Sequence, residues 1–243
     1  MKNDLKGKNQ KSIFFNFDNN QINNSCKLAV FKGWNKSLII KISFSGSGII
    51  DNNFIKSNFP SIVNKEKLFI ITSGKSKFKS KNKLFNLKKF DAISIFSDNQ
   101  SYSFECKKNN QIFIVSSERF KKRKNKSIYF NFKESIKPID IWGGQCISRP
   151  YSGIDLNIVM FDLKKDFRFD DQGHKNEQIT WVISGSMNFY SNKSKKKLTN
   201  QNGIDIGPSH KHGGVSNGAI GFDAFFPKRN EKKYKHKVKM IKL

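Results

Sequence analysis

The chain has 243 residues, of which 36% are hydrophobic and 13% aromatic, and its formal net charge is +27. This is enough apolar material for one large domain or two of about 120 residues, which excludes wholesale disorder. The sequence has no run of 18 apolar residues and no apolar segment after its first residues. It therefore predicts no membrane span, no signal peptide and a cytoplasmic protein without a membrane partner.

The high positive charge raises nucleic-acid binding as one candidate function. Only five residues are arginine, however, and the lysines are spread along the whole chain. Dedicated nucleic-acid binders use arginine for bidentate contacts to bases and phosphates. We attribute the charge to a lysine-rich surface, expect no nucleic-acid partner, and expect the basic runs at 121–126 and 232–242 to be an exposed linker and tail.

Three cysteines, Cys26, Cys106 and Cys146, are widely spaced along the chain. Their odd number does not suit a disulfide framework, and their spacing does not suit a zinc site of the Cys-x-x-Cys type. We expect reduced thiols, as in a cytoplasmic protein.

The sequence repeats itself. The segment at 11–17 (KSIFFNF) recurs at 126–132 as KSIYFNF. Further matches follow at a constant offset of 111 residues, and two blocks in the same order predict a tandem duplication. The matched pairs are Glu66 with Glu177, Ser73 with Ser184, Gly74 with Gly185, Phe78 with Phe189, Leu87 with Leu198, Ile93 with Ile204 and Ile95 with Ile206.

Short runs rich in Ile, Val and Phe predict strands in both halves. They lie at 37–44, 68–72, 112–115, 154–163, 179–183 and 219–226. A Ser-Gly turn after 179–183 predicts a hairpin whose second strand begins at 188–190. No capped, 3.6-periodic stretch of ten or more residues occurs. Many short strands at close spacing favour an all-β fold of two sandwiches or small barrels, divided into residues 1–120 and 121–243.

Histidine is scarce, and three of the four histidines flank the predicted strands of the second half: His174, His210 and His212. Closing a barrel can bring His174, Gln178 and His212 to one point inside its mouth. Imidazole nitrogen suits Zn, Fe, Mn, Ni or Cu, whereas an amide oxygen is a weaker ligand. The alternative is that these histidines only lie on surface loops.

Three segments of the second half resemble the cupin family. Residues 172–185 (QGHKNEQITWVISG) resemble the first cupin motif, in which histidines and a Glu or Gln precede a short strand and a glycine. Residues 203–213 (GIDIGPSHKHG) resemble the second motif, and 223–229 (DAFFPKR) resemble the closing strand of many small cupins. The resemblance covers about residues 126–230 and implies two tandem cupin, jelly-roll-type β-barrels.

Carried over by position, the family pattern implies one divalent transition metal held by Gln172, His174, Gln178 and His212. Gln172 stands where the family has its first histidine, so either Gln172 or His210 completes the set. In the first half the same offset gives Ser61, Val63, Lys67 and Ser101, which are not usual ligands for such a site. The first barrel is therefore similar to a degenerate cupin that has lost its metal. Its remaining roles would be packing, formation of a homodimer or shaping the entrance to the second barrel.

The second half also resembles a bicupin isomerase of bacilysin biosynthesis and a pectin-degradation cupin that converts unsaturated uronates. This implies a metal-dependent isomerase or lyase acting on a small carboxylated or oxo substrate. Asp223 would move a proton, Arg229 would hold a carboxylate, and Trp181 and Phe225 would form apolar walls. The purely structural alternatives are that Trp181 and Phe225 belong to the core and that Asp223 and Arg229 form an ion pair with each other. A non-catalytic binding or sensor protein is the alternative function.

Overall fold

The computed structural model describes residues 11–17, 20–23, 25–81, 83–96, 98–118, 127–229 and 241–242. The predicted basic linker at 121–126 lies outside the described residues, as does most of the predicted tail at 232–242. Within the described part of the chain, no helix is both long enough and apolar enough to cross a bilayer. Cys26, Cys106 and Cys146 are free thiols, and all three are buried.

Most of the described residues form antiparallel strands. The strands of the first half are β1 (Ile13–Asn16), β2 (Asn20–Asn23), β3 (Cys26–Lys32), β4 (Ser37–Phe44), β5 (Gly48–Asp51), β6 (Lys67–Ser73), β7 (Ser76–Ser80), β8 (Lys83–Leu87), β9 (Asp91–Ile95), β10 (Tyr102–Cys106) and β11 (Gln111–Ser117), with helix α1 at Asn52–Asn58 and a 3-10 turn at Pro60–Ile62. The strands of the second half are β12 (Ile128–Asn131), β13 (Ile139–Ile141), β14 (Cys146–Ser152), β15 (Asn157–Asp171), β16 (Glu177–Ser184), β17 (Met187–Ser191), β18 (Ser194–Leu198), β19 (Asn202–Ile206), β20 (His212–Phe226) and β21 (Ile241–Lys242), with helix α2 at Phe132–Ser135.

The predicted strands all coincide with observed ones, although most are longer than predicted. β4 has the predicted bounds, whereas β15 begins three residues later than predicted and continues to Asp171. Apolar alternation marks only the buried part of a strand, so the exposed end of β15, which carries Lys164, Lys165 and Asp166, gave no strand signal. Helix α1 was not predicted, although Asp51 caps it by accepting a hydrogen bond from the Phe54 backbone N–H at 2.8 Å.

The predicted hairpin between 179–183 and 188–190 is wrong. β16 and β17 do not pair with each other; each pairs with a different part of the long strand β20. Gly185 turns the chain from one to the other with a φ of +73°, and a Cβ there would lie 1.6 Å from the Gly218 carbonyl oxygen. The Ser-Gly turn therefore leads the chain from one part of β20 to another instead of closing a hairpin.

The two halves exchange their first strands. β1 pairs with β19 of the second half, with Phe15 opposite Gly203, and β12 pairs with β9 of the first half, with Tyr129 opposite Ile93. Gly203 permits this contact, since a Cβ there would lie 2.5 Å from the Phe15 ring. The division of the chain at residues 120 and 121 stays a prediction. The nine-stranded and eight-stranded sheets each contain strands from both sides of it, whereas the four-stranded sheet contains strands of the first half alone.

A hydrophobic core joins the two halves. Its members come from both, and they include Phe113 of β11 together with Trp181 and Phe222 of β16 and β20. The ring of Trp181 stacks between the other two, with centroid distances of 5.5 Å to each. Each barrel has a further core of its own inside its sheets.

Two glutamates at matched positions of the repeat also hold the halves together. Glu66 accepts hydrogen bonds from the backbone N–H groups of Ile154 and Asp155, at 2.9 and 2.8 Å. Glu177 accepts one from the Ser37 hydroxyl at 2.9 Å. Each carboxyl therefore binds a turn of the opposite half, and both are buried.

Candidate functional site

A cavity of about 190 Å³ lies inside the second barrel. Aromatic and aliphatic side chains form most of its wall, and a smaller polar group gathers where β15, β16 and β20 run side by side. The polar lining consists of Ser148, Asp171, Gln178, Thr180, His212, Asp223 and Arg229. A concave, mostly apolar cavity with a few convergent polar groups is typical of a small-molecule site.

His174 and His212 are brought together beside this polar group. Their ring centroids are 5.5 Å apart with the rings nearly perpendicular, and the His174 ring also packs 5.5 Å from Phe225. His212 is buried, and Phe189 stacks against its imidazole at 6.0 Å. The two imidazoles thus come from the loop before β16 and from the start of β20, as closing the barrel predicts.

Hydrogen bonds fix how each imidazole is used. His212 donates from Nδ1 to the His210 carbonyl oxygen at 2.9 Å, which leaves the lone pair on Nε2. His174 donates from Nε2 to the Gln178 Oε1 atom at 2.8 Å, and its buried Nδ1 has no partner. Burial lowers the pKa of both histidines, so both imidazoles are neutral near pH 7.

Asp223 is held by two donors at one of its oxygens. The Thr180 hydroxyl donates to Oδ1 at 2.6 Å, and the Gln178 amide donates to the same oxygen at 3.1 Å. Burial raises the pKa of Asp223 to about 6, against the lowering effect of these hydrogen bonds. The carboxyl group is therefore close to the point at which it can either give or take a proton at neutral pH.

Arg229 follows the closing strand β20 and lines the cavity. Its guanidinium carbon lies 4.8 Å from the centroid of the Phe225 ring, a cation–π contact, and its backbone N–H donates to Asn157 Oδ1 at 2.5 Å. The planar guanidinium is thereby held at the cavity wall beside Asp223. Phe225 lines the cavity as well, and its role as an apolar wall for a substrate stays a prediction.

The structure does not bring every predicted residue to the cavity. Gln172 is exposed and does not line it. Trp181 is fully buried in the core between the halves, so it faces away from the cavity. His210 points elsewhere too, since its Nδ1 lies 2.9 Å from the Ser12 hydroxyl.

Other cavity residues were not predicted. Thr180 and Asp171 lie next to predicted residues in the sequence, and strand alternation could have identified Thr180, because it shares a face of β16 with Gln178. Trp142 and Phe167 lie outside the family motifs, and their ring centroids are 5.2 Å apart at the cavity. Nothing in the local sequence indicated that the β13–β14 turn reaches this barrel mouth.

The donor set for a metal is limited. Among the described residues, no three His, Cys, Asp or Glu side chains lie together as a metal-binding group. The His174 ring lies 5.5 Å from the His212 ring and within hydrogen-bond distance of the Gln178 amide oxygen, and the buried Nδ1 of His174 has no hydrogen-bond partner. His212 is oriented as metal-bound histidines usually are, with its second nitrogen donating to a carbonyl. This set fits a weakly held divalent transition metal, on condition that the His174–Gln178 hydrogen bond opens.

The matching point of the first barrel is filled by the chain itself. Lys67, which corresponds to Gln178, is fully buried, and its ammonium lies 2.8 Å from Asp98 Oδ2. It also donates to the carbonyl oxygens of Ile62 and Lys65, at 3.2 and 3.0 Å. Tyr102 completes the group by donating to Asp98 Oδ1 at 3.2 Å.

No protein-family model and no curated protein sequence matches the chain. Solved structures do match it. AerE from Microcystis aeruginosa has a TM-score of 0.68 at 13% identity, covering 88% of this chain and 98% of AerE. Protein Ylba from E. coli has a TM-score of 0.67 at 14% identity, covering 91% and 93%. Oxalate decarboxylase from Lactobacillus farciminis, in a formate complex, has a TM-score of 0.67 at 9% identity, covering 95% and 88%.

At these identities the likeness shows the fold alone. The structural neighbours are cupin jelly-roll proteins, so the predicted all-β fold of two tandem cupin barrels is confirmed. The resemblance to the two named isomerase and pectin-degradation families stays a prediction.

Proposed function

We propose that the cavity of the second barrel binds a small carboxylated or oxo substrate and moves a proton on it, as an isomerase or lyase does, with one divalent transition metal held by His174, Gln178 and His212. The observation that carries the proposal is the convergence of a guanidinium, a carboxyl group and the neutral imidazole of His212 at a single cavity, with the imidazole of His174 packed against His212 and Phe225. A structurally similar protein, oxalate decarboxylase, was solved with formate, which is itself a small carboxylate.

Arg229 would bind the carboxylate of the substrate. A guanidinium pairs with a carboxylate through two parallel hydrogen bonds, and such charge-assisted bonds are stronger than neutral ones. Phe225 keeps the guanidinium against the cavity wall through the cation–π contact, so less side-chain freedom is lost on binding. Asp171 is the other carboxylate that lines the cavity, and it would favour a substrate whose acid group lies near Arg229 rather than near Asp171.

Asp223 would transfer the proton. Its Oδ1 is occupied by Thr180 and Gln178, which leaves Oδ2 to act on a substrate. With a pKa of about 6, the carboxyl group is mostly ionised at pH 7 and keeps its proton in about a tenth of the molecules, which suits a group that both takes and returns a proton. A bound metal would supply Lewis-acid stabilisation of charge on a substrate oxygen. His174 and His212, both neutral, can offer lone pairs to it.

Metal content and substrate binding test the proposal together. We expect natively purified protein to contain about one transition metal per chain, and the double variant His174→Ala, His212→Ala to lose it. Elemental analysis of both proteins measures this, with Lys211→Ala as a control for a neighbouring loop substitution. Equal metal in the wild-type protein and the double variant would contradict the metal site.

A non-catalytic binding protein is the second candidate. It is favoured by the exposed Gln172 and by the His174–Gln178 hydrogen bond, which uses two of the donor atoms that a metal needs. It predicts a stable, metal-free protein that binds a small carboxylate with unchanged affinity after a chelator is added. Calorimetric titration of propanoate with and without chelator separates the two candidates.

A further inference from the structure

A continuous row of aromatic rings lines the cavity from its rim to His212. Trp142 contacts Phe167 at 5.2 Å between centroids, and Phe167 contacts Phe169 at 6.2 Å. Phe169 in turn contacts Phe189 at 5.9 Å, and Phe189 stacks on His212 at 6.0 Å. The polar groups of the cavity therefore lie at the inner end of an apolar wall several rings long.

The first ring of this row is unusual because it is exposed. Trp142 has 64% of its surface accessible, although Phe167 and Phe189 further along the row are buried. It lies in the β13–β14 turn, and it lines the cavity while facing solvent. A large exposed aromatic side chain at the rim of an apolar cavity marks a contact surface for a ligand.

The backbone of the turn presents this ring and stands clear of the barrel. Trp142, Gly143 and Gly144 have φ values of +59°, +61° and +81°, so three successive residues adopt the left-handed conformation. A non-glycine residue rarely does so, and positions that hold one there are often functional. A Cβ built on Gly143 or Gly144 would meet no atom within 4 Å, so there is open space beside the turn at both glycines.

The composition of the wall indicates what the ring would cover. Besides the aromatic row, the lining includes Ile141, Val159, Leu163 and Met187, and a hydroxylated sugar ring would leave its hydroxyl groups without hydrogen-bond partners there. An apolar cavity of about 150 Å³ is known to hold one benzene ring, and the present cavity has about 190 Å³. Arg229 at the polar end supplies the complement to a carboxylate.

We propose that Trp142 is a specificity-determining residue, which covers the apolar, ring-sized group of a carboxylate bound in the second barrel. This inference rests on the proposed carboxylate site and narrows its substrate class to an acid that carries an apolar group. The carboxylate lies at Arg229, the apolar group lies along Phe189 and Phe167, and the indole closes over it.

The test compares 3-phenylpropanoate with propanoate, which has the same acid group without the ring. We expect wild-type protein to bind 3-phenylpropanoate more than about tenfold more tightly, and Trp142→Ala to lose about tenfold for this ligand alone. Trp34→Ala, which removes an exposed tryptophan from the first half, should leave both affinities unchanged. Indole emission should shift to the blue on binding in wild-type protein and not in Trp142→Phe.

The outcomes separate this inference from the proposed function. If both acids bind equally, or if Trp142→Ala weakens both alike, the carboxylate site stands and the role of Trp142 is overturned. Tighter binding of glucuronate than of 3-phenylpropanoate would also overturn it. If neither acid binds wild-type protein, the carboxylate site fails and this inference fails with it. Circular dichroism of each variant shows that a lost affinity is not lost folding.

Discussion

The two barrels use the same strand position in opposite ways. In the first barrel Lys67 places a buried ammonium beside Asp98, where the chain's own carbonyl groups complete its hydrogen bonds. In the second barrel Gln178 occupies the matching position, and it lines a cavity together with His212 and Asp223. One barrel is therefore closed by an internal cation, and the other keeps a space into which a ligand can enter.

The comparison shows that few structural changes separate a barrel with an open cavity from one whose matching position is filled. The carbonyl oxygens that Lys67 reaches come from the 3-10 turn after helix α1 and from the residues that follow it. In the second half the segment before β16 has no such helix; it is the loop that carries His174. A single buried lysine and a short helical insertion replace two histidines, while the surrounding strands keep their pairing.

The largest expected effect comes from breaking the closed barrel. Lys67→Ala would leave the carboxylate of Asp98 without its cationic partner, and removing one partner of a buried ion pair costs about 3–5 kcal/mol. The side chain of Lys67 is fully buried and that of Asp98 is 10% exposed, so solvent cannot compensate the loss. Urea unfolding of the variant measures this.

Lys88→Ala is the matched control, since Lys88 forms an ion pair with Glu134 in which both side chains are more than half exposed. Exposed pairs contribute little, so its unfolding midpoint should stay at the wild-type value. Similar midpoints for the two lysine variants would show that Lys67 is not the structural cation of the first barrel.

The second comparison concerns the glutamates that join the halves. Burial raises the pKa of Glu66 from its ordinary value of 4.5 to about 7. A carboxyl group with a raised pKa binds its proton more tightly in the folded state. The contribution of Glu66 to stability is therefore greatest below pH 4.5, falls as the pH rises to about 7 and stays at that lower level above it. In the second half Asp205 lies beside Glu177, whereas at the matching position of the first half Ser94 lies beside Glu66. Burial and the nearby Glu177 together raise the pKa of Asp205 to about 9.

Glu66→Gln should remove that pH dependence. The amide oxygen can still accept from the Ile154 and Asp155 N–H groups, and Ser94 can turn to accept from the amide. Because 2.5 pH units correspond to about 3 kcal/mol, the variant should gain up to that amount relative to wild type between pH 4.5 and pH 8. Urea unfolding at both pH values measures it, with the exposed Glu105→Gln as control. An unchanged slope in Glu66→Gln would mean that another group titrates.

A substitution in the cavity of the second barrel should have a smaller effect, on ligand binding rather than on stability. Arg229→Gln should weaken 3-phenylpropanoate about 10- to 100-fold, because a hydrogen bond to a charged group contributes about 1.5–3 kcal/mol. Arg168→Gln is the matched control, since Arg168 is exposed on β15 and does not line the cavity. Calorimetric titration gives both affinities, and equal losses in the two variants would remove Arg229 from the site.

Much of this architecture could be predicted from the sequence, since apolar alternation marks the buried strands and the repeat gives the second half its counterpart. The direction in which a side chain points at the end of a motif could not be predicted from the sequence. Trp181 fits an apolar wall as a residue type, yet alternation along β16 turns it toward Phe113 of the other half, on the opposite face from Gln178. Trp142 reaches the cavity only because the β13–β14 turn lies at its rim, which no local pattern in the sequence encodes.

The smallest expected effect concerns Gln172 and Gln178, both of which the family resemblance assigns to the metal site. Gln178 is buried and donates to Asp223, whereas Gln172 is exposed in the loop before His174. Gln172→Ala should therefore leave stability, metal content and affinity for 3-phenylpropanoate at their wild-type values, because a surface residue without partners contributes little. Gln178→Ala should lower the affinity, since Asp223 loses a donor and His174 loses its acceptor. If Gln172→Ala instead loses metal as the double histidine variant does, the loop folds inward when the metal binds, and the family pattern describes the loaded protein better than the geometry of the free one.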